Sequence, residues 1–251
     1  MEKEFVDVIL PNFNKKKYLE EAIQSVLDQS YKKWKLYIID DCSNDNSIEI
    51  LDKFKDHNNI IIKQLSKNKG PSFCRNLGLR ISSSEYIAFI DSDDYWKKDK
   101  LKDQINFMKK NNFSFTYTNY ETFGKKMKKI YNPPKLNYLN FIKNTSIATS
   151  TMMIKREKIK SIKFTNSKIC EDYYFKCKLL KKVKFAYCLK KNLTKYRIRD
   201  KSLQSNNIRN FYWIWKINKN YNNLNFFENF ISLFFISLNS IKKYGGKNIF
   251  D

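Results

Sequence analysis

With 251 residues, 42% of them hydrophobic, the chain can bury a real core as one large domain or as a domain with an appendage. Its net charge of +24 attracts anionic partners such as phosphates, nucleotides or an acidic membrane. Only six of the 49 basic residues are Arg, and no zinc-finger spacing, RNP-type motif or Arg-rich helix occurs, so nucleic acid is not expected as a partner. His57 is the single histidine, which excludes His-based triads and His-ligated metals. Five scattered cysteines without a C-x-x-C pair point to reduced thiols rather than a disulfide framework.

In chain order, Met1-Glu2-Lys3-Glu4 is polar, so no secretory leader is expected, and no apolar run has the length of a membrane span. Phe5 to Leu10 reads as a first strand, broken by Pro11-Asn12-Phe13-Asn14. Tyr18 to Gln29 has helical spacing, with Leu19, Ala22, Ile23, Val26 and Leu27 on one face. Leu36 to Ile39 is a second strand ending in Asp40-Asp41-Cys42-Ser43-Asn44-Asp45, and a helix capped by Ser43 or Asp45 follows. Ile60 to Leu65 is a third strand, and beyond the turn Asn68-Lys69-Gly70-Pro71 a helix carries Arg75, Asn76 and Leu79. Tyr86 to Ile90 is a continuous apolar run, the pattern of a strand buried on both faces, and Lys98 to Lys110 is the next helix. The alternation implies right-handed βαβ units and a mostly parallel sheet whose strand exits share one edge. With no G-x-G-x-x-G after the first strand and no G-x-x-x-x-G-K-[ST], neither an NAD-type domain nor a P-loop is indicated.

The second half is expected to hold strands at Phe113 to Thr118, Lys128 to Tyr131, Ser150 to Lys155, Val183 to Cys188 and Leu193 to Ile198. A helix is expected from Cys170 through Leu180. After residue 206 the composition turns aromatic, and Glu228, Asn229, Ser232, Asn239 and Ser240 form a narrow polar stripe at helical spacing. The wide apolar arc suits an anionic bilayer, a second subunit or the chain's own core, and the sequence leaves the three open.

Two acidic stretches carry the chemistry. Asp91-Ser92-Asp93-Asp94 follows the central strand directly, at the carboxyl edge where open α/β sheets bind ligands. Carboxylates so close repel one another unless a cation lies between them, and oxygen-only ligands favour Mg²⁺ or Mn²⁺. A helix-capping turn is the plainer account. Glu171-Asp172 opens a helix, where acids either complement the helix dipole or do chemistry.

Together these segments resemble the family 2 glycosyltransferases, inverting enzymes of bacterial surface-glycan type. The resemblance spans residues 5 to 205 and is closest over 5 to 100. It implies a GT-A fold: a Rossmann-like, mostly parallel central sheet flanked by helices. Residues 1–205 would be the catalytic domain, with 1–100 the nucleotide half and 101–205 the acceptor side. Residues 206–251 would form a helical extension. By resemblance, Pro11, Phe13 and Asn14 lie near the nucleotide base and Asp41 partners the uracil ring. Arg75, in Cys74-Arg75-Asn76 after Gly70, approaches the nucleotide. Asp91 and Ser92 lie at the donor, and Asp93 with Asp91 holds Mn²⁺ or Mg²⁺. Asp172 is the general base, with Glu171, Asp94 and Trp96 as acceptor or supporting residues. Arg199 stands where the family often has His; it cannot ligate a metal but can pair with phosphate.

The implied reaction moves a hexose or N-acetylhexosamine from a nucleotide-diphosphate sugar, with UDP the commonest nucleotide, to a hydroxyl of a glycan or lipid-linked acceptor. The implied setting is the cytoplasm, peripherally on the cytoplasmic face of the inner membrane, with residues 206–251 as a membrane contact or homodimer face. A sugar-phosphate nucleotidylyltransferase and a non-catalytic anion- or membrane-binding protein are the rival readings. The first lacks its Gly-rich N-terminal phosphate loop, and the second leaves three carboxylates at a strand exit unexplained.

Overall fold

The computed structural model describes residues 4–124, 127–165, 167, 169–198 and 207–244. Its first half alternates strand and helix: β1 (Val6–Asn12), α1 (Lys16–Leu27), β2 (Trp34–Asp40), α2 (Ser47–Asp52), β3 (Ile60–Gln64), α3 (Pro71–Ile81) and β4 (Tyr86–Phe89). The second half adds β5 (Tyr95–Trp96), α4 (Lys100–Asn111), β6 (Phe115–Gly124), β7 (Lys128–Ile130), β8 (Lys135–Leu136), α5 (Tyr138–Phe141), β9 (Met153–Lys155), α6 (Glu171–Val183), β10 (Ala186–Ile198), α7 (Asn207–Asn220) and α8 (Phe226–Tyr244).

All these strands join one sheet in the order β3-β2-β1-β4-β9-β6-β10-β5, with β7 on β6 and β8 on β10. From β3 to β4 the pairing is parallel, as the alternation predicts. Beyond β4 it becomes mixed: β9 runs antiparallel to both β4 and β6, while β6 and β10 pair in parallel. The two strands expected at Val183–Cys188 and Leu193–Ile198 are the single strand β10. Its register shifts between Leu189 and Asn192 and again between Asn192 and Thr194, so exposed Lys190 and Lys191 read as a loop when they sit in a bulge.

Strand alternation feeds two cores. Val6, Val8 and Leu10 of β1 and Tyr86 and Ala88 of β4 face one core, with Leu19, Ile23, Leu101 and Ile105 from α1 and α4. Ile9, Ile87 and Phe89 face the other, with Phe175 and Leu179 of α6. Ile214, Ile217 and Ile236 of α7 and α8 belong to this second core. Asp7 lies inside β1 with no exposure. It accepts from the Ser84 backbone N–H and hydroxyl at 2.6 and 2.7 Å and pairs with Arg156 at 2.7 Å, so the buried charge is fully partnered. Gly78 lets α3 lie on β1: a Cβ there would sit 2.6 Å from Ile9 Cγ2.

The register sets Asn12 of β1 beside Asp40 of β2 and Ile9 beside Phe89 of β4. The C-terminal ends of β1, β2 and β4 therefore open onto one rim.

Candidate active site

Asp40 organises the first part of that rim. Asn12 Nδ2 donates to its Oδ1 at 2.7 Å, the Ser43 hydroxyl donates to the same oxygen at 2.6 Å, and the Ser43 N–H reaches Oδ2 at 3.0 Å. Asn14, at φ 51°, donates its N–H to Ser43 Oγ and accepts the Asn44 N–H on its side chain. Pro11 is buried in β1, and Phe13 projects from the rim with 42% of its surface exposed. Asp41 is buried and accepts the backbone N–H groups of Lys69 and Gly70, each at 2.7 Å. Its carboxylate thereby fixes the turn that starts α3, where Gly70 takes φ +85° immediately ahead of Pro71.

After β4 the chain does not stay extended. Asp94 donates its N–H to the Asp91 carbonyl at 3.0 Å, closing a turn over residues 91–94. The three carboxylates take separate partners. Asp91, 30% exposed at its side chain, pairs with Arg75 Nη2 at 2.8 Å. Asp93 pairs with Lys15 Nζ at 3.2 Å. Asp94 turns inward, accepting the Ser150 hydroxyl at 2.6 Å and the Arg197 N–H at 2.9 Å. Burial first, then repulsion from Asp91 and Asp93, raises the Asp94 carboxyl well above the usual range. Ser92 is buried in the same turn. Among the described residues no group of three His, Cys, Asp or Glu side chains could hold a metal. Asp94, expected as a supporting residue, is turned away from Asp93 and Asp91, the two carboxylates expected to hold a metal.

Arg75 lies inside the rim, not on its surface, with both arms engaged: Nη1 on Glu171 Oε1 at 2.6 Å and Nη2 on Asp91. It acts on the site by tying the turn after β4 to the start of α6. Trp96 is a core residue, donating its indole N–H to the Ser150 carbonyl at 2.8 Å beneath the Lys100 ammonium, and Asp94 is buried with it beneath the rim. Glu171 is likewise buried under Arg75. Arg199 lies outside the described residues.

Asp172 sits in the first turn of α6, which Cys170 starts from a left-handed conformation at φ 60°. Its Oδ2 accepts from Lys176 Nζ at 2.6 Å and from the Thr149 hydroxyl at 2.9 Å, and Lys176 also reaches Thr149 at 3.1 Å. Among the described residues no donor reaches Oδ1. Burial pushes this carboxyl up, but the Lys176 ammonium outweighs it, with Arg75 and the Thr149 hydroxyl helping, and the group is held at about 2. Asp172 is an ionised carboxylate at any physiological pH.

Several contributors escape the motif reading. Lys176 has a signal, its i,i+4 spacing from Asp172. Arg197 holds the 91–94 turn through its backbone N–H and through Nε on the Asp93 carbonyl at 2.9 Å, while its guanidinium lies over the Tyr18 and Phe123 rings and pairs with Glu21. Lys15, Thr149 and Ser150 are brought in by the fold alone.

Residues 7–174 match the model of the family described as "Glycosyl transferase family 2". The chain is 35% identical over 246 residues to the putative teichuronic acid biosynthesis glycosyltransferase TuaG of Bacillus subtilis (strain 168), covering 96% of this chain and 98% of that one. It is 33% identical over 229 residues to the UDP-Glc:alpha-D-GlcNAc-diphosphoundecaprenol beta-1,3-glucosyltransferase WfgD of Escherichia coli, covering 86% of each. The fold is similar to that of S. aureus TarS 1-349 in complex with UDP-GlcNAc, with a TM-score of 0.74 at 22% identity, over 95% of this chain and 73% of that one. A strand-edge rim carrying a D-x-D turn, facing an acidic helix start, thus sits in a chain that belongs to glycosyl transferase family 2 and is a glycosyltransferase of GT-A architecture.

Proposed function

We propose that this enzyme transfers a hexose or N-acetylhexosamine from a UDP-sugar to a hydroxyl of a glycan or lipid-linked acceptor, with inversion at the anomeric carbon and Asp172 as general base. The observation that carries this reading is Asp172 itself. It is a carboxylate kept ionised and fixed through Oδ2 by Lys176 and Thr149, and joined to the donor rim through Glu171, Arg75 and Asp91.

Phe13 offers a face to the base, Asp41 is the candidate uracil partner, and the rim between Asp91 and Lys15 faces the diphosphate. Asp93 already attracts a cation, the Lys15 ammonium, whose flexible stem can yield the place. Its hard oxygens suit Mn²⁺ or Mg²⁺, with Asp91 alongside and the donor's diphosphate and water supplying the remaining ligands. Such an ion, when bound, offsets charge on the leaving diphosphate. The acceptor hydroxyl gives its proton to Asp172 as its oxygen attacks the anomeric carbon and the bond to the diphosphate breaks, so an α-linked donor gives a β-linked product.

In this reading residues 1–205 form the catalytic unit, 1–100 on the donor side and 101–205 on the acceptor side, and 206–251 the extension. The UDP-sugar named for WfgD and the UDP-GlcNAc complex of TarS support the nucleotide, and the diphosphoundecaprenol acceptor in the WfgD name supports a lipid-linked substrate, which this reading sets at a membrane surface. The test is a panel of UDP-sugars with the full chain, read by UDP release and by thermal stabilisation, with Mn²⁺ and after chelation. One UDP-sugar is expected to stabilise the protein and be consumed in a metal-dependent way. Pyrophosphate release from a nucleoside triphosphate, or donor binding without consumption, would overturn the proposal.

A further inference from the structure

The helix α8 turns a mixed face inward, Ile236 and Leu233 together with two residues of its polar stripe. Asn229 and Ser232 are buried, Asn218 Nδ2 of α7 donates to both at 3.1 Å, and the Ser232 hydroxyl donates to the Ile142 carbonyl at 2.6 Å. Asn229 donates to the Trp215 carbonyl at 3.0 Å, and the Tyr173 hydroxyl of α6 donates to Asn218 at 2.7 Å. Each group is partnered, so the interior accepts the polar face without penalty. The aromatic arc is left outside. Phe227, Phe230, Ile231, Phe234, Leu238 and Ile241 are all exposed, from 76% at Phe227 to 38% at Leu238, and they run along one side of the helix. A continuous exposed ridge of this kind marks an interaction surface.

Charge selects the occupant. Glu228 is the only acid on α8, at its first turn, whereas Lys242 and Lys243 close its last turn. Beside that end, Lys128 and Lys129 join Lys242 and Lys243 around a cavity of about 440 Å³. Lys243 reaches into it with its ammonium on the Ser146 hydroxyl at 2.5 Å, and burial lowers that amine to about 8. The cavity lining contains no carboxylate. A second copy would bring the same +24 charge and the same lysines to meet this end, so self-pairing is opposed. Among the described residues no helix is long and apolar enough to cross a membrane. At 1.5 Å per residue, the helix is about 28 Å long, enough to lie in the plane of a bilayer interface.

We propose that α8 docks this chain flat on a bilayer containing anionic lipids, its aromatic ridge in the acyl boundary and Lys128, Lys129 and Lys242 at the headgroups. The proposal extends the membrane setting given above but rests on this surface, not on the identity of the donor.

Flotation of the full chain with vesicles tests it, using phosphatidylcholine alone and phosphatidylcholine mixed with phosphatidylglycerol. Binding is expected to favour the anionic vesicles by about tenfold or more and to weaken with salt. Phe230→Glu with Phe234→Glu should lower binding by about tenfold or more. That variant should keep the wild-type unfolding transition and donor stabilisation, because both side chains are exposed. Lys129→Glu with Lys242→Glu should remove only the preference for anionic vesicles, which keeps the test decisive even if the first variant folds poorly. Equal binding of wild type and both variants would overturn the proposal. So would sedimentation showing a wild-type dimer that the Phe variant splits, or equal binding to neutral and anionic vesicles. Loss of UDP-sugar consumption with docking intact would count against the catalytic reading alone.

Discussion

At the turn after β4, Asp94 is a carboxyl driven towards its neutral form; at the start of α6, Asp172 is a carboxylate held ionised at about 2. Both are largely withdrawn from water, and burial pushes both upward, so burial does not separate them. The partners do. Asp94 meets a hydroxyl, a backbone N–H and two neighbouring carboxylates, while Asp172 meets the Lys176 ammonium and the Thr149 hydroxyl. The first environment favours a neutral carboxyl that accepts within the turn, and the second favours an ionised carboxylate, the state that the proposed role of Asp172 as general base requires. Arg75 joins the two regions, one arm on Asp91 and the other on Glu171.

Removing that link is the strongest way to break the contrast. Arg75→Met leaves Glu171 buried beside Asp172 with its counter-charge gone, and should lower unfolding stability by about 3–5 kcal/mol in urea titration. Glu171 can protonate, and its carboxyl is already raised by burial, with Asp172 adding to it against the pull of Arg75. An acid whose folded value lies above its unfolded value loses stability as pH rises through that interval, so the defect should grow from acid towards neutral pH. A defect equal at all pH values would place the lost energy elsewhere than in the stranded carboxylate.

Lys176→Met sharpens the comparison from the other side. Without the ammonium, only Arg75 and the Thr149 hydroxyl oppose burial at Asp172, and its carboxyl should rise. The acid limb of the rate profile should then shift to higher pH, with a smaller loss at neutral pH. In the wild type the depressed carboxyl contributes stability that is present above its unfolded value near ~3.9 and lost as pH falls towards 2. The variant should lack that acid-side loss. A rate profile unchanged by Lys176→Met would mean that Asp172 does not set the limb.

The smallest effect is expected at Asp94. A carboxyl already pushed towards its neutral form is close to an amide in shape and charge, and the Ser150 hydroxyl can turn to accept. Asp94→Asn should therefore stay within about 1 kcal/mol of wild type by thermal unfolding, with metal response retained. If it abolished the response to Mn²⁺ as Asp93→Ala is expected to, Asp94 would have to be added to the metal set.

The sequence showed the parallel half of the sheet because each of its strands is an apolar run ended by polar residues. β1, β2 and β4 therefore announce both the core and the rim. Asp172 was visible as an acid at a helix start. Its control by Thr149 was not, because that contact crosses 23 residues and depends on a short turn at Thr149–Thr151 that has no pattern of its own. β10 read as two strands because Lys190 and Lys191 interrupt its alternation. The stripe along α8 was legible, but its direction was not. Periodicity says that a helix has two faces, and only the Asn218 network decides that Asn229 and Ser232 lie inside while the aromatic ridge stays out.

The central claim is that Asp172 takes the acceptor's proton while the rim of β1, β2 and β4 holds the donor. Parallel measurement of turnover and UDP-sugar binding in Asp172→Asn separates those two roles in one variant. Turnover is predicted to fall by ~10²–10⁴ with donor affinity near wild type. Sugar transfer at the wild-type rate, or a loss of donor affinity that accounts for the whole defect, would contradict the assignment.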